Sequence, residues 1–141
     1  MMSKSSSSIE LRQLWWVGPL TVLAAIVGVL IVRILAVVIL KPNPQPMSLG
    51  WGTPIVFTLV LCTGAVFVFA LTARFAKNPI RTFIIISIVF LIISFLPDIA
   101  FATSPMPGAN WANAIALMVM HVVAGFITVY MLIKLTATEI Q

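Results

Sequence analysis

The residues best suited to chemistry in this sequence are three ionisable side chains inside long apolar stretches: Arg33, Asp98 and His121. Ionisable groups at membrane depth cost free energy and commonly mark functional sites. If each stretch is a membrane-crossing helix, the rise per residue puts Arg33 and Asp98 in the same half of the bilayer and His121 about 15 Å from one surface, near the midplane. A guanidinium beside a carboxylate keeps both groups charged despite burial. The sequence therefore predicts a salt bridge between Arg33 and Asp98 that joins two helices. The alternatives are an Arg33 side chain that extends alone to the outer headgroups, and a transport or ligand-binding role.

Polar side chains recur on the same helical faces as these ionisable groups. Ser94 precedes Asp98 by four residues and Asn113 precedes His121 by eight, so each pair shares one side of a helix. We expect Arg33, Asp98, His121, Ser94 and Asn113 to form one intramembrane polar cluster. Asp98 and His121 are its candidates for handling protons, because imidazole changes charge near physiological pH. A hydrogen-bonded histidine that only holds helices together is the alternative.

Metal and catalytic chemistry have little to build on in this sequence. It has one cysteine (Cys62), one histidine and three acidic residues, which excludes a multi-cysteine zinc site within one chain. It has no HExxH, Walker or GxGxxG motif, and nothing ties a serine to His121 and Asp98 as a triad. We expect no catalytic residue, no metal and no cofactor. Axial ligation of a haem or pigment through His121, with Met118 or Met120 nearby, stays open as an alternative.

The composition indicates which class of protein must position these residues. Of 141 residues, 62% are hydrophobic and 8% are charged, whereas soluble domains have about 25% charged residues. This excludes a soluble globular enzyme, a disordered regulator and a nucleic-acid-binding domain, although the net charge is +5. The basic residues lie mainly between and beside apolar segments, where they contact anionic lipid headgroups and set topology.

Four apolar segments are long enough to cross a bilayer, which takes about 20 residues in a helix. Prolines and polar loops separate them, because proline cannot continue a helix. The predicted fold is an all-α membrane protein, a bundle of four transmembrane helices within a single domain at 12–135. The flanking residues 1–11 form a predicted disordered tail, and 136–141 a second tail. The predicted spans are about 14–40, 54–73, 82–102 and 111–133.

The distribution of basic residues predicts the orientation. Lys41 is the only basic residue in loops 41–53 and 103–110. The ends of the chain and the loop between the second and third spans contain six basic residues, namely Lys4, Arg12, Arg74, Lys77, Arg81 and Lys134. Basic residues concentrate on the cytoplasmic side of membrane proteins, so we expect both termini to be cytoplasmic.

Several short stretches together resemble an uncharacterised family of small bacterial four-helix integral membrane proteins, classed as a domain of unknown function. The most specific features are Leu96-Pro97-Asp98, within Ser94-Phe95-Leu96-Pro97-Asp98, and the methionines beside His121, within Leu117-Met118-Val119-Met120-His121-Val122-Val123-Ala124. The others are Asn78-Pro79-Ile80-Arg81-Thr82-Phe83 and Gly108-Ala109-Asn110-Trp111. The resemblance implies one four-helix domain over roughly 12–135 and no known activity, substrate or cofactor.

These observations lead to three functional hypotheses. The first is a non-enzymatic accessory or assembly subunit of a bacterial inner membrane, acting as a homo-oligomer or within a larger membrane complex, with anionic lipid headgroups on its cytoplasmic side and no nucleic acid. The alternative is a small proton-linked transporter or channel-like carrier that uses Asp98 and His121. The third is a subunit that binds a cofactor or pigment through His121.

Overall fold

The computed structural model describes residues 8–9, 11–42 and 45–138. Within these ranges the chain forms four long helices, each apolar enough to cross a membrane. The prediction of an all-helical protein with four spans is therefore confirmed, and the chain is a multi-pass membrane protein. The four helices are α1 (Leu14–Leu40), α2 (Gly52–Phe75), α3 (Pro79–Ala102) and α4 (Trp111–Thr136).

Short elements flank the bundle. Single 3₁₀ turns cover Leu11–Gln13 and Met47–Leu49, and the strands β1 (Ser8–Ile9) and β2 (Ala137–Thr138) pair antiparallel. Within the tail predicted to be disordered, residues 8–9 thus pair with the chain beyond α4. Residues 1–7, 10 and 139–141 of the two predicted tails lie outside the described residues.

Local chemistry sets the helix ends. α1 ends where Lys41 adopts a left-handed conformation (φ 43°) and its N–H bonds the carbonyl of Val37, directly before Pro42. Pro79 begins α3, a position where the missing N–H costs nothing. The side chain of Asn110 accepts a 2.8 Å hydrogen bond from the Asn113 N–H and caps α4.

The helices are unevenly packed. α1 packs most extensively against α4 and then against α2, whereas α3 packs mainly on α4 and the seam between α2 and α3 is sparse. Close packing of α1 on α4 depends on Gly28, where a Cβ atom would lie 2.5 Å from the Ile127 Cδ1 atom. Buried side chains form clusters along the bundle axis, with the rings of Phe69 and Phe83 in an edge-to-face contact at 4.8 Å.

We name the two ends of the bundle for what they hold. The loop end has the connections between α1 and α2 and between α3 and α4, and the terminal end has the α2–α3 connection and the outer ends of α1 and α4.

Candidate functional site

The centre of the candidate site is a contact between a carboxylate on α3 and an imidazole on α4. The Asp98 Oδ2 atom lies 3.3 Å from the His121 Nε2 atom. The Asp98 side chain is 8% exposed, whereas the His121 side chain is 27% exposed. The contact is within ion-pair range but falls short of hydrogen-bond geometry, so Oδ2 accepts no hydrogen bond from the described residues. A buried carboxylate oxygen therefore has an electrostatic partner and spare capacity to accept a hydrogen bond.

Arg33 contacts Leu49 and Trp51 and not Asp98, the partner that its depth in the bilayer predicts. Its Nε–H donates a 3.0 Å hydrogen bond to the Leu49 carbonyl, and its guanidinium carbon lies 3.6 Å from the centroid of the Trp51 ring. The predicted Arg33–Asp98 salt bridge is wrong, because Asp98 pairs with His121 instead. The bundle explains this: α1 packs on α4 and α2, while Asp98 lies on α3.

The remaining predicted cluster residues have separate surroundings. The Ser94 hydroxyl donates a 2.7 Å hydrogen bond to the Leu91 carbonyl of its own helix, near the Asp98–His121 pair. Asn113 is 1% exposed, and its Nδ2 donates a 2.8 Å hydrogen bond to the Gly108 carbonyl, which holds the loop before α4. Ser94 thus accompanies the pair, whereas Arg33 and Asn113 each hold a loop at the loop end.

Two cavities meet at the Asp98–His121 pair, in the seam between α2, α3 and α4. The loop-end cavity has a volume of about 500 Å³ and reaches Ser48 and Thr53. The terminal-end cavity has a volume of about 380 Å³ and reaches Phe83. His121 lines both cavities, and Asp98 lines the loop-end cavity. The other residues that line both are Leu61, Cys62, Phe90, Ser94 and Ala124.

The cavities open sideways, towards the surroundings of the bundle. Phe57 and Val60 on α2 and Phe90 and Ile93 on α3 line them and are each at least half exposed. This opening follows from the sparse α2–α3 seam. In a membrane, lipid chains would lie outside this opening.

Cys62, Thr128 and Ser48 belong to the lining but were not predicted as site residues. The Cys62 Sγ atom lies 3.3 Å from the Thr128 Oγ1 atom across the α2–α4 contact. The depth of Cys62 below Trp51 indicates that it lies level with His121. Nothing in the sequence indicates that Ser48, from a short 3₁₀ turn, lies over the same cavity. The described residues contain no group of three or more His, Cys, Asp and Glu side chains that could hold a metal ion.

Comparison with known proteins identifies the family. The profile of a family of unknown function, DUF6069, matches residues 8–138. The chain therefore belongs to this family, as the resemblance of its short motifs indicates. No curated protein and no solved structure matches the chain.

Proposed function

We propose that this member of the DUF6069 family is a non-enzymatic carrier that moves a small amphipathic molecule across a membrane in exchange for protons. The observation that carries the proposal is the position of the Asp98–His121 pair, at the junction of two cavities that extend towards opposite ends of the bundle. Ionisable groups within membrane spans are commonly substrate or proton sites.

The pair suits proton exchange for an electrostatic reason. With a proton on His121, the imidazolium compensates the Asp98 carboxylate, and the pair is neutral. Without that proton, an ionised Asp98 is buried at 6% exposure and contacts no cation among the described residues, which is unfavourable at membrane depth. Gain and loss of a proton therefore change the need for a second countercharge, and this couples the proton to anything that binds beside Asp98.

The cavities suit a small amphipathic molecule. Their volumes, about 500 and 380 Å³, lie in the range of small-molecule sites. Apolar side chains dominate the lining. Its polar groups are Asp98, His121, the Cys62 thiol and the hydroxyls of Ser48, Thr53, Thr58, Ser87, Ser94 and Thr128. A cavity with an apolar wall and a small polar centre favours a ligand that is mostly apolar and has a small polar group.

The accessory role remains a second hypothesis. It rests on the apolar outer surface of the bundle. Such a surface does not require a protein partner, because lipid covers it in any multi-pass protein. The ion pair between two cavities favours the carrier instead. Crosslinking in native membranes tests the accessory role, because a stable oligomer or complex supports it and an isolated monomer contradicts it. An absorbance spectrum of the purified protein tests the cofactor hypothesis for His121.

Proton flux tests the carrier. Purified protein is reconstituted into vesicles loaded with a pH-sensitive dye, and ethidium, Nile red and anilinonaphthalene sulfonate are added in turn as cationic, neutral and anionic probes. We expect at least one of them to elicit protein-dependent proton movement across an imposed pH gradient. Both Asp98→Asn and His121→Gln should abolish this movement, because each removes one half of the pair.

The matched control is Thr21→Val. Thr21 is fully buried on α1 and lines neither cavity, so the change alters a buried polar group without touching the pair. We expect this variant to retain proton movement. Absence of movement with all three probes, or movement that survives Asp98→Asn, contradicts the carrier.

A further inference from the structure

Unpartnered polar atoms concentrate at the loop-end cavity. Three buried side-chain oxygens have no hydrogen-bond partner among the described residues: Thr21 Oγ1, Ser48 Oγ and Asp98 Oδ2. Two of the residues, Ser48 and Asp98, line the loop-end cavity. Buried polar groups are normally satisfied, and an unsatisfied one calls for an explanation. Polar groups of a ligand in this cavity would supply the missing partners.

The chemistry of these oxygens specifies the ligand's polar end. An ionised carboxylate only accepts hydrogen bonds, whereas a serine hydroxyl accepts or donates. A group that satisfies both oxygens is therefore a hydrogen-bond donor or a cation, and a carboxylate or phosphate would face like charge at Asp98.

The charges around the pair favour a cation. On α3 and α4 the ionisable groups of the cavity are Asp98 and His121, and on α2 it is the thiol of Cys62. The charged residue of α1 is Arg33, whose guanidinium is held by Leu49 and Trp51 and does not line the cavity. No lysine or arginine of the described chain lines either cavity. The site is thus negative when Asp98 is ionised and His121 is neutral.

Aromatic rings complete the environment. Phe57, Phe90 and Phe101 line the loop-end cavity together with Asp98. Ring faces attract cations, and the attraction grows when water is excluded. The rings also supply apolar contact area for the remainder of a ligand.

We propose that the loop-end cavity binds a lipophilic cation, which enters sideways between α2 and α3 and places its charge beside Asp98, among the three phenylalanine rings. This proposal names the class of molecule that the proposed carrier would move. Binding of the cation does not require the carrier function, whereas its transport does. The bound cation and the proton on His121 are alternative countercharges for Asp98. Binding of the cation therefore disfavours protonation of His121, and protonation disfavours binding.

A pair of size-matched ions tests the class of ligand. Purified full-length protein in an uncharged detergent is titrated with tetraphenylphosphonium and, separately, with tetraphenylborate, its anionic counterpart. We expect saturable binding of the cation only. Asp98→Asn should weaken cation binding about tenfold or more, because Asp98 is the only acidic side chain that the described residues contribute to the cavity lining. His121→Gln should leave the affinity equal or higher, because it removes the competing countercharge.

Cys62 provides a readout in unsubstituted protein, in case Asp98→Asn fails to fold. Cys62 is the sole cysteine and lines both cavities. Bound tetraphenylphosphonium should slow its modification by N-ethylmaleimide, and tetraphenylborate should not. Thr21→Val should behave as the unsubstituted protein, because Thr21 lines neither cavity.

The outcomes separate this inference from the carrier. Equal binding of both ions, or cation binding that survives Asp98→Asn in folded protein, overturns the cation site. Proton movement elicited only by the neutral or the anionic probe leaves the carrier standing and also overturns the cation site. Selective cation binding without proton movement supports the cation site and overturns the carrier.

Discussion

At the scale of single residues, Arg33 and Asp98 each illustrate how a membrane protein accommodates a buried charge. Arg33 is 6% exposed and has a backbone carbonyl and an indole ring in place of a carboxylate. A planar guanidinium suits this arrangement, because it donates a hydrogen bond in its plane while it stacks on a ring. Asp98, equally buried, has the His121 imidazole. The two charges therefore have separate roles.

The separation predicts the result of a double-mutant cycle. Arg33→Lys should lower the free energy of unfolding by about 1–2 kcal/mol, because lysine loses the stacked plane and the Nε donor. Arg33→Lys combined with Asp98→Asn should be additive within about 0.5 kcal/mol, since the two residues share no contact. Thermal or denaturant unfolding in detergent provides the measurement. A coupling energy larger than this would indicate a direct interaction between Arg33 and Asp98, as the sequence predicts.

The sequence indicates which residues are unusual but does not indicate which of them meet. Helical rise gives depth, and depth places Arg33 and Asp98 together. Pairing also requires the two helices to be neighbours, and the apolar composition of these helices leaves their order around the bundle open. Asp98 and His121 were both predicted as proton-handling residues. Their mutual contact emerges only from the packing of α3 on α4.

At the scale of elements, the predicted spans are accurate to within three residues at each end. The second span extends from 54–73 to Gly52–Phe75, and the third begins at Pro79 instead of 82. The difference has a physical cause: apolar content predicts the part of a helix inside lipid, while caps and prolines set where the helix ends. Asn78 and Pro79 therefore start α3 before the apolar run begins.

The packing of α1 on α4 predicts that the cost of replacing a glycine depends strongly on its position in the bundle. Gly28→Val should lower the melting temperature in detergent, because a Cβ atom there meets the Ile127 Cδ1 atom at 2.5 Å and the Val123 Cγ1 atom at 3.2 Å. Overpacking of this kind costs about 1–3 kcal/mol. Gly64→Ala on α2 is the matched control, since a Cβ atom at Gly64 meets nothing within 4 Å. We expect Gly64→Ala to be neutral or stabilising, and equal losses in both variants would contradict this account of the helix contact.

At the scale of the whole molecule, the four helices place both ends of the described chain on one side if every helix crosses the bilayer. We propose that this side is cytoplasmic and that the membrane is a bacterial inner membrane. Exposed basic side chains support the proposal, since Arg74, Lys77, Arg81 and Lys134 all lie at the terminal end. There they would contact the anionic headgroups of the cytoplasmic leaflet.

Cysteine accessibility tests this orientation directly, because the chain has a single cysteine to remove. In a Cys62→Ser background, Ser104→Cys places a thiol at the loop end and Asn78→Cys places one at the terminal end. A membrane-impermeant maleimide applied to intact bacterial cells should label the first variant and not the second, and both should react after permeabilisation. The opposite pattern would invert the topology. It would also place the loop-end cavity, with Asp98 and Ser48, in the cytoplasmic half of the membrane, so that a cation would enter it from the cytoplasmic leaflet.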